Sequence, residues 1–298
     1  MSGMPLASIP SPARSVWHVG PLPVRAQALC VIAGILLAIA LADRRYRKNG
    51  GSPGVIAEVA AWAVPASMIP AIAGLILGDG RSWFSSRPGL WHALRELDWA
   101  LGFPGAVACG LIGAAVACRH IRQVRGGKES AGEPSLASVA GAAAPAVAFG
   151  HAVASLGSWV SQTGYGRPSS LWWAVNISPE HRIGGFENFA TFQPVFGYQV
   201  LWDVASGVIV ILATRWFSLS GNKSFALVAV LYAAGGLALG MLRIGQLPLV
   251  VGIRAGELGD GALFILALAY LIRSRRGTRK PHRVRPLETE SSRDVMSA

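Results

Sequence analysis

The sequence predicts an all-α fold, a polytopic transmembrane bundle of about seven helices. Three observations lead there. Charged residues make up 14% of the chain against 52% hydrophobic residues, where soluble domains carry about 25% charged residues. Apolar stretches of membrane-crossing length recur along the chain, and basic residues cluster after every second one. The mean hydropathy of +0.44 agrees with this reading.

A helix needs about 20 apolar residues to cross the hydrocarbon core. Stretches of that kind lie at about 26–42, 55–77, 97–118, 135–160, 196–214, 225–242 and 256–272. The first is short and the last carries Glu257 and Asp260 near its start, so six or eight crossings are the alternative counts. Loop charges favour seven. Arg44, Arg45, Arg47 and Lys48 follow the first stretch, and Arg119, Arg122, Arg125 and Lys128 follow the third. Arg215 and Lys223 follow the fifth, and Arg273, Arg275, Arg276, Arg279 and Lys280 follow the last. Cytoplasmic loops carry an excess of Lys and Arg, so the N-terminus is expected outside and the C-terminus in the cytoplasm.

The expected organisation is an extracytoplasmic segment at 1–25, a membrane domain at 26–272 with an outer loop at about 161–195, and a basic then polar tail at 273–298. A second outer loop is expected at about 78–96. The N-terminal segment has no early basic region running into an apolar core, so no cleaved signal peptide is expected. Trp159, Trp172, Trp173 and Phe189 flank the outer loop and read as interfacial anchors. Pro65, Pro70, Pro104, Gly105 and Pro145 lie inside stretches, where they permit kinks and close packing.

Several function classes drop out. The net charge of +12 does not indicate nucleic acid, because the basic residues sit between apolar stretches and not on an aromatic-interleaved face. Cys30, Cys109 and Cys118 all lie in apolar stretches and form neither a disulfide framework nor a metal pair. No His or carboxylate set has metal-ligand spacing. No inverted repeat or charged midplane path favours a transporter.

Five segments carry a family resemblance. LASIPSPARSVWHVGPLPVRAQALC (6–30) precedes the basic RRYRKNGG, and LGFPGAVACGLIG occupies 101–113. GYGRPSSLWWAV follows at 164–175, FQPVFGYQVLWD at 192–203 and SFALVAVLYAAGGLALGMLRIG at 224–245. In order and spacing these resemble the prolipoprotein diacylglyceryl transferases, particularly the actinobacterial members, over most of residues 6–250. The resemblance implies a multi-pass protein of the bacterial cytoplasmic membrane. It also implies transfer of a diacylglyceryl group from phosphatidylglycerol to the lipobox cysteine of a prolipoprotein, with no cofactor. Such chemistry needs cations or donors to hold a phosphate and a polar group to take the thiol proton.

The chain departs from the family pattern at charged positions. Where the signature GRxGNxxNxE is expected, residues 154–163 read ASLGSWVSQT, so Ser155 replaces arginine, Ser158 and Ser161 replace asparagines, and Thr163 replaces glutamate. Gln193 and Gln199 stand for a histidine and a glutamate, and Gly236 and Gly240 for an arginine and a glutamate. Pro104 stands for a histidine and Ile72 for an arginine. These replacements predict weak or absent transferase activity, and a non-catalytic paralogue that binds phospholipid or a lipoprotein precursor is the alternative function.

Five residues remain as site candidates. The resemblance makes Arg167 and Arg243 phosphate holders, with Arg243 snorkelling from the outer end of the sixth stretch, and makes Tyr198 and Tyr232 headgroup donors, Tyr232 also a catalytic candidate. The bland readings are turn or headgroup contacts for the arginines and structural hydrogen bonds for the tyrosines. His151 has no family counterpart and precedes Ser155 by one turn. A Ser–His nucleophile needs an orienting acid and an oxyanion site, and the sequence points to neither. A hydrogen-bonded core histidine is the plainer reading, although His151 is the one candidate base if the protein is active. Asp203 and Glu58 lie within apolar stretches and are expected to pair with polar groups across the bundle. The expected partners are phosphatidylglycerol or another phospholipid and a lipobox-bearing prolipoprotein.

Overall fold

The structure is a computed structural model, and it describes residues 8–12, 15–19, 22–78, 99–124, 134–244, 249–250 and 253–276. Residues 79–96 of the second outer loop and the tail beyond Arg276 lie outside these. Seven long helices form the described body: α1 (Ala26–Lys48), α2 (Val55–Gly78), α3 (Trp99–Val124), α4 (Leu136–Val160), α5 (Val195–Phe217), α6 (Gly221–Gly240) and α7 (Ala255–Arg276). The chain is thus an all-α transmembrane bundle, and each apolar stretch of the sequence falls on one helix. In hydrocarbon a helix satisfies its backbone polar groups within itself, which is why these stretches take that form.

Among the described residues, five helices are both long and apolar enough to cross a membrane: α1, α3 from Gly105, α4, α5 and α6. In α2 the apolar stretch is shorter, Val55–Pro70. The last helix carries Glu257 and Asp260 in its opening turns. The first helix is longer than the sequence stretch, 23 residues, because Arg45, Arg47 and Lys48 continue it. Cations there complement the negative end of the helix dipole, and Arg47 pairs with Asp43 one turn back at 2.8 Å.

Helix α4 is the centre of the bundle, in contact with α1, α3, α5 and α6. Its start is fixed by a reciprocal cap: the Ser138 amide donates to Ser135 Oγ (3.0 Å) and the Ser135 amide donates to Ser138 Oγ (3.1 Å). Its buried residues are small, with Ala142, Ala144, Ala146 and Ala148 facing inward. Large side chains such as Leu36, Ile112, Leu201 and Leu266 point outward. This inverted distribution suits lipid, where small residues let helices approach and large ones meet acyl chains. At the α1–α4 crossing, a Cβ on Gly150 would come 2.5 Å from the Gly34 carbonyl oxygen.

Between α4 and α5 the loop folds into a small β-cap. Strands β1 (Val175–Asn176) and β2 (Thr191–Phe192) pair antiparallel, and Ile9 from the N-terminal segment adds to Val175. Tyr165, Val175, Ile177 and Phe192 form its apolar centre. The Tyr165 hydroxyl donates to the His181 carbonyl (2.7 Å) and accepts from the Ile183 amide (2.9 Å). Gln162 ties the cap to the N-terminal segment: its Oε1 accepts from the Ser178 amide (2.7 Å) and its Nε2 donates to the Pro12 carbonyl (3.2 Å). Of the expected anchors, Trp172 is 69% exposed and Phe189 48% exposed. Trp159 instead stacks on Phe196 at 6.4 Å, and Trp173 turns inward to Tyr198.

Candidate active site

Four helices bring polar side chains to one end of the bundle interior. Helix α4 supplies His151, α5 supplies Tyr198, Gln199 and Asp203, α6 supplies Tyr232 and the turn after it Arg243, and α7 supplies Glu257 and Asp260. Gln199 and Asp203 are one turn apart on α5 and share a face. Both are buried, at 4% and 2% exposure.

Four of these groups form a chain. Arg243 Nη2 donates to Gln199 Oε1 (3.3 Å), Gln199 Nε2 donates to Asp203 Oδ1 (3.1 Å), and His151 Nδ1 meets Asp203 Oδ2 at 2.7 Å. Asp203 Oδ2 accepts when Nδ1 carries the imidazole proton, the tautomer that makes Nε2 the acceptor. The Tyr232 ring meets the His151 ring edge-on, with centroids 5.1 Å apart. Asp203, His151 and Tyr232 border a cavity of about 30 Å³ otherwise walled by residues such as Val147, Ser206 and Phe225. That volume holds one or two waters, not a headgroup.

Two expectations change here. Asp203 finds its partner across the bundle, as expected, but that partner is His151, so the histidine does have an orienting acid. Sequence reasoning missed this because the two are 52 residues apart and only the rotation of α4 against α5 brings them together. The second concerns Arg243. Its guanidinium turns into the bundle toward Gln199 and does not snorkel outward, because Gly166 of the cap pairs with the Arg243 backbone and fixes it from outside. A Cβ on Gly166 would lie 2.9 Å from the Leu242 carbonyl oxygen, so glycine permits this approach.

The remaining candidates lie apart from the chain. Arg167 has an exposed side chain, while its carbonyl accepts from the Gln193 amide (3.0 Å) within the cap. The Tyr198 hydroxyl accepts from Trp173 Nε1 at 2.8 Å, a structural bond between cap and bundle. In the sequence Glu257 and Asp260 stand out only as charges that make the last stretch insecure. In the fold they lie over the glycine face of α6: a Cβ on Gly236 would run into the Asp260 carboxylate, and one on Gly240 would lie 3.4 Å from Glu257 Oε1. The signal for them in the sequence is their position inside an apolar helix, where charged groups default to function.

The comparisons with known proteins agree with this architecture. The family profile described as prolipoprotein diacylglyceryl transferase matches residues 14–273. A phosphatidylglycerol–prolipoprotein diacylglyceryl transferase 2 of Streptomyces coelicolor is 34% identical over 269 residues, 90% of this chain and 81% of that protein. The phosphatidylglycerol–prolipoprotein diacylglyceryl transferase of Streptomyces avermitilis is 34% identical over 97% of this chain and 80% of its own length. That of Frankia alni is 35% identical over 92% of this chain and 69% of its own length. This chain therefore belongs to the prolipoprotein diacylglyceryl transferase family.

Proposed function

We propose that this chain is a multi-pass protein of the bacterial cytoplasmic membrane that transfers a diacylglyceryl group from phosphatidylglycerol to the lipobox cysteine of a prolipoprotein. The names of its relatives and its family supply the reaction class. What carries the reading for this chain is the continuous run Arg243–Gln199–Asp203–His151. In this reading His151 Nε2 takes the thiol proton, and the thiolate attacks the terminal glycerol carbon. The C–S bond forms as the C–O bond breaks, and the glycerol phosphate or its equivalent leaves with the electron pair. Arg243 meets the phosphate charge, Asp203 steadies the imidazolium, and the proton returns to the leaving group. Tyr232 packs edge-on against His151 beside this run as the second catalytic candidate, with Arg167 and Tyr198 as headgroup contacts at the cap.

The membrane arrangement that goes with this reading has seven crossings, the segment 1–25 and the 161–195 loop outside, and the tail 273–298 in the cytoplasm. The purified protein, given a bacterial phospholipid mixture containing phosphatidylglycerol and a lipobox peptide, is expected to add a diacylglyceryl mass to the cysteine. His151→Asn and Arg243→Ala are expected to abolish that adduct. No adduct, with a family member carrying the full signature working alongside, would overturn the transferase reading. It would leave a non-catalytic paralogue that binds phospholipid or a prolipoprotein, which Ser155, Ser158, Ser161, Thr163 and Gly236 favour by standing where the family carries polar or charged groups.

A further inference from the structure

Gln199 stands between two groups that attract each other. Its Oε1 accepts from Arg243 Nη2 (3.3 Å), and its Nε2 donates to Asp203 Oδ1 (3.1 Å). The amide cannot be turned the other way, because a guanidinium only donates and so requires the oxygen on its side. The side chain is 4% exposed and lies one turn before Asp203 on the same face of α5. Among uncharged side chains of that reach, glutamine alone offers an acceptor to one neighbour and a donor to the other.

Both neighbours are also held from elsewhere. The Arg243 backbone pairs with Gly166 of the cap, and Asp203 Oδ2 lies 2.7 Å from His151 Nδ1. The amide fills the gap between them. In a low-dielectric interior a guanidinium and a carboxylate attract strongly, and with nothing between them they pair through two parallel bonds. A pair of that kind would take the Arg243 charge away from a lipid phosphate and draw Asp203 off the imidazole.

We infer that Gln199 is a positioning residue, a neutral spacer that keeps Arg243 and Asp203 from pairing directly and so leaves the guanidinium to the phosphate and the carboxyl to His151. The inference rests on the phosphate-holding part given to Arg243 in the proposed function. A glutamate at 199 could not act in this way. Its carboxylate would itself bind Arg243 and would stand one turn from Asp203, where like charges repel. Asp260 of α7 is a second acid within electrostatic range of Arg243, so the two acids must be told apart.

Native mass spectrometry of the full chain in detergent does this, with phosphatidylglycerol and an acyl-matched diacylglycerol that lacks the phosphate. Gln199→Met keeps the length and removes the amide. It is expected to weaken phosphatidylglycerol binding about tenfold and to leave diacylglycerol binding unchanged. Adding Asp203→Asn is expected to restore phosphatidylglycerol binding, and adding Asp260→Asn is not. Gln199→Glu keeps size and polarity should Gln199→Met fail to fold, and it is expected to show the same selective loss. Unchanged phosphatidylglycerol binding, an equal loss for diacylglycerol, a loss that Asp203→Asn leaves in place, or one that Asp260→Asn repairs would each overturn the inference. Arg243→Ala separates it from the reading beneath it. If that variant binds phosphatidylglycerol as the parent does, the phosphate-holding assignment fails and takes the spacer with it. If it binds weakly while both Gln199 variants bind normally, the spacer alone fails. The expected binding pattern without adduct formation would sink only the transferase reading.

Discussion

Asp203 accepts from Gln199 on one oxygen and binds His151 on the other, so a change of a single atom has a defined effect. In Asp203→Asn the amide nitrogen can donate to His151 Nδ1, which moves the imidazole proton to Nε2 and removes the base. The variant is expected to fold, with thermal unfolding near that of the parent, and to lose about 10²-fold or more in adduct rate. An unchanged rate would end the assignment of His151 as base. Tyr165 is the corresponding structural residue. Its hydroxyl bridges the His181 carbonyl and the Ile183 amide, and Tyr165→Phe strands both groups, at about 1–3 kcal/mol. Hydrogen exchange at Ile183 is expected to speed up with little change in the helices. Burial pushes the Tyr165 phenol above its ordinary value. The neutral form therefore stabilises the cap fully below about pH 10, and that contribution is lost as pH rises through the raised value. An absorbance titration in which Tyr165 ionises at the ordinary phenol value of about 10 would contradict this.

At the scale of elements, the α1–α4 crossing rests on close-packed glycines such as Gly34 and Gly150, whereas Gly261 in α7 has room for a methyl group. Gly150→Ala places a Cβ 2.5 Å from the Gly34 oxygen and 2.9 Å from the Ala38 side chain, so the helices must separate. A lower melting temperature and lower folded yield are expected. A Cβ on Gly261 in α7 would meet nothing within 4 Å, so Gly261→Ala is expected to hold or raise the melting temperature, since alanine favours helix by about 1 kcal/mol. If both variants behave alike, packing at the crossing is not the cause. The helices themselves were legible because a crossing needs an unbroken apolar run, which leaves a signal in one dimension. The β-cap was not, because strands of two residues carry no periodicity and owe their form to Ile9, Gln162 and Tyr165 meeting across the fold. Likewise the sequence shows that Gly236 and Gly240 lack charge. It does not show that Asp260 and Glu257 fill the same space from the next helix, because that depends on how α7 is rotated.

At the scale of the whole molecule, helices α1, α3 and α5 carry basic residues in their last turns, with Arg122 in α3 and Arg215 in α5. If their ends share the cytoplasmic side, the β-cap is outside. With the native cysteines replaced by alanine, Glu180→Cys is expected to react with an impermeant maleimide on intact cells, and Asn49→Cys only after lysis. The reverse pattern would invert the topology. The pairing of Gly166 with Arg243 has a further effect at this scale. The cap cannot be displaced without pulling on the backbone that carries the guanidinium, and so on its reach to Gln199. We expect arrival of the protein substrate and arming of the lipid charge holder to be one mechanical event, which turns an arrangement in space into an order in time. Product-inhibition kinetics would then show compulsory order, and random order would mean that the cap and the arginine move independently.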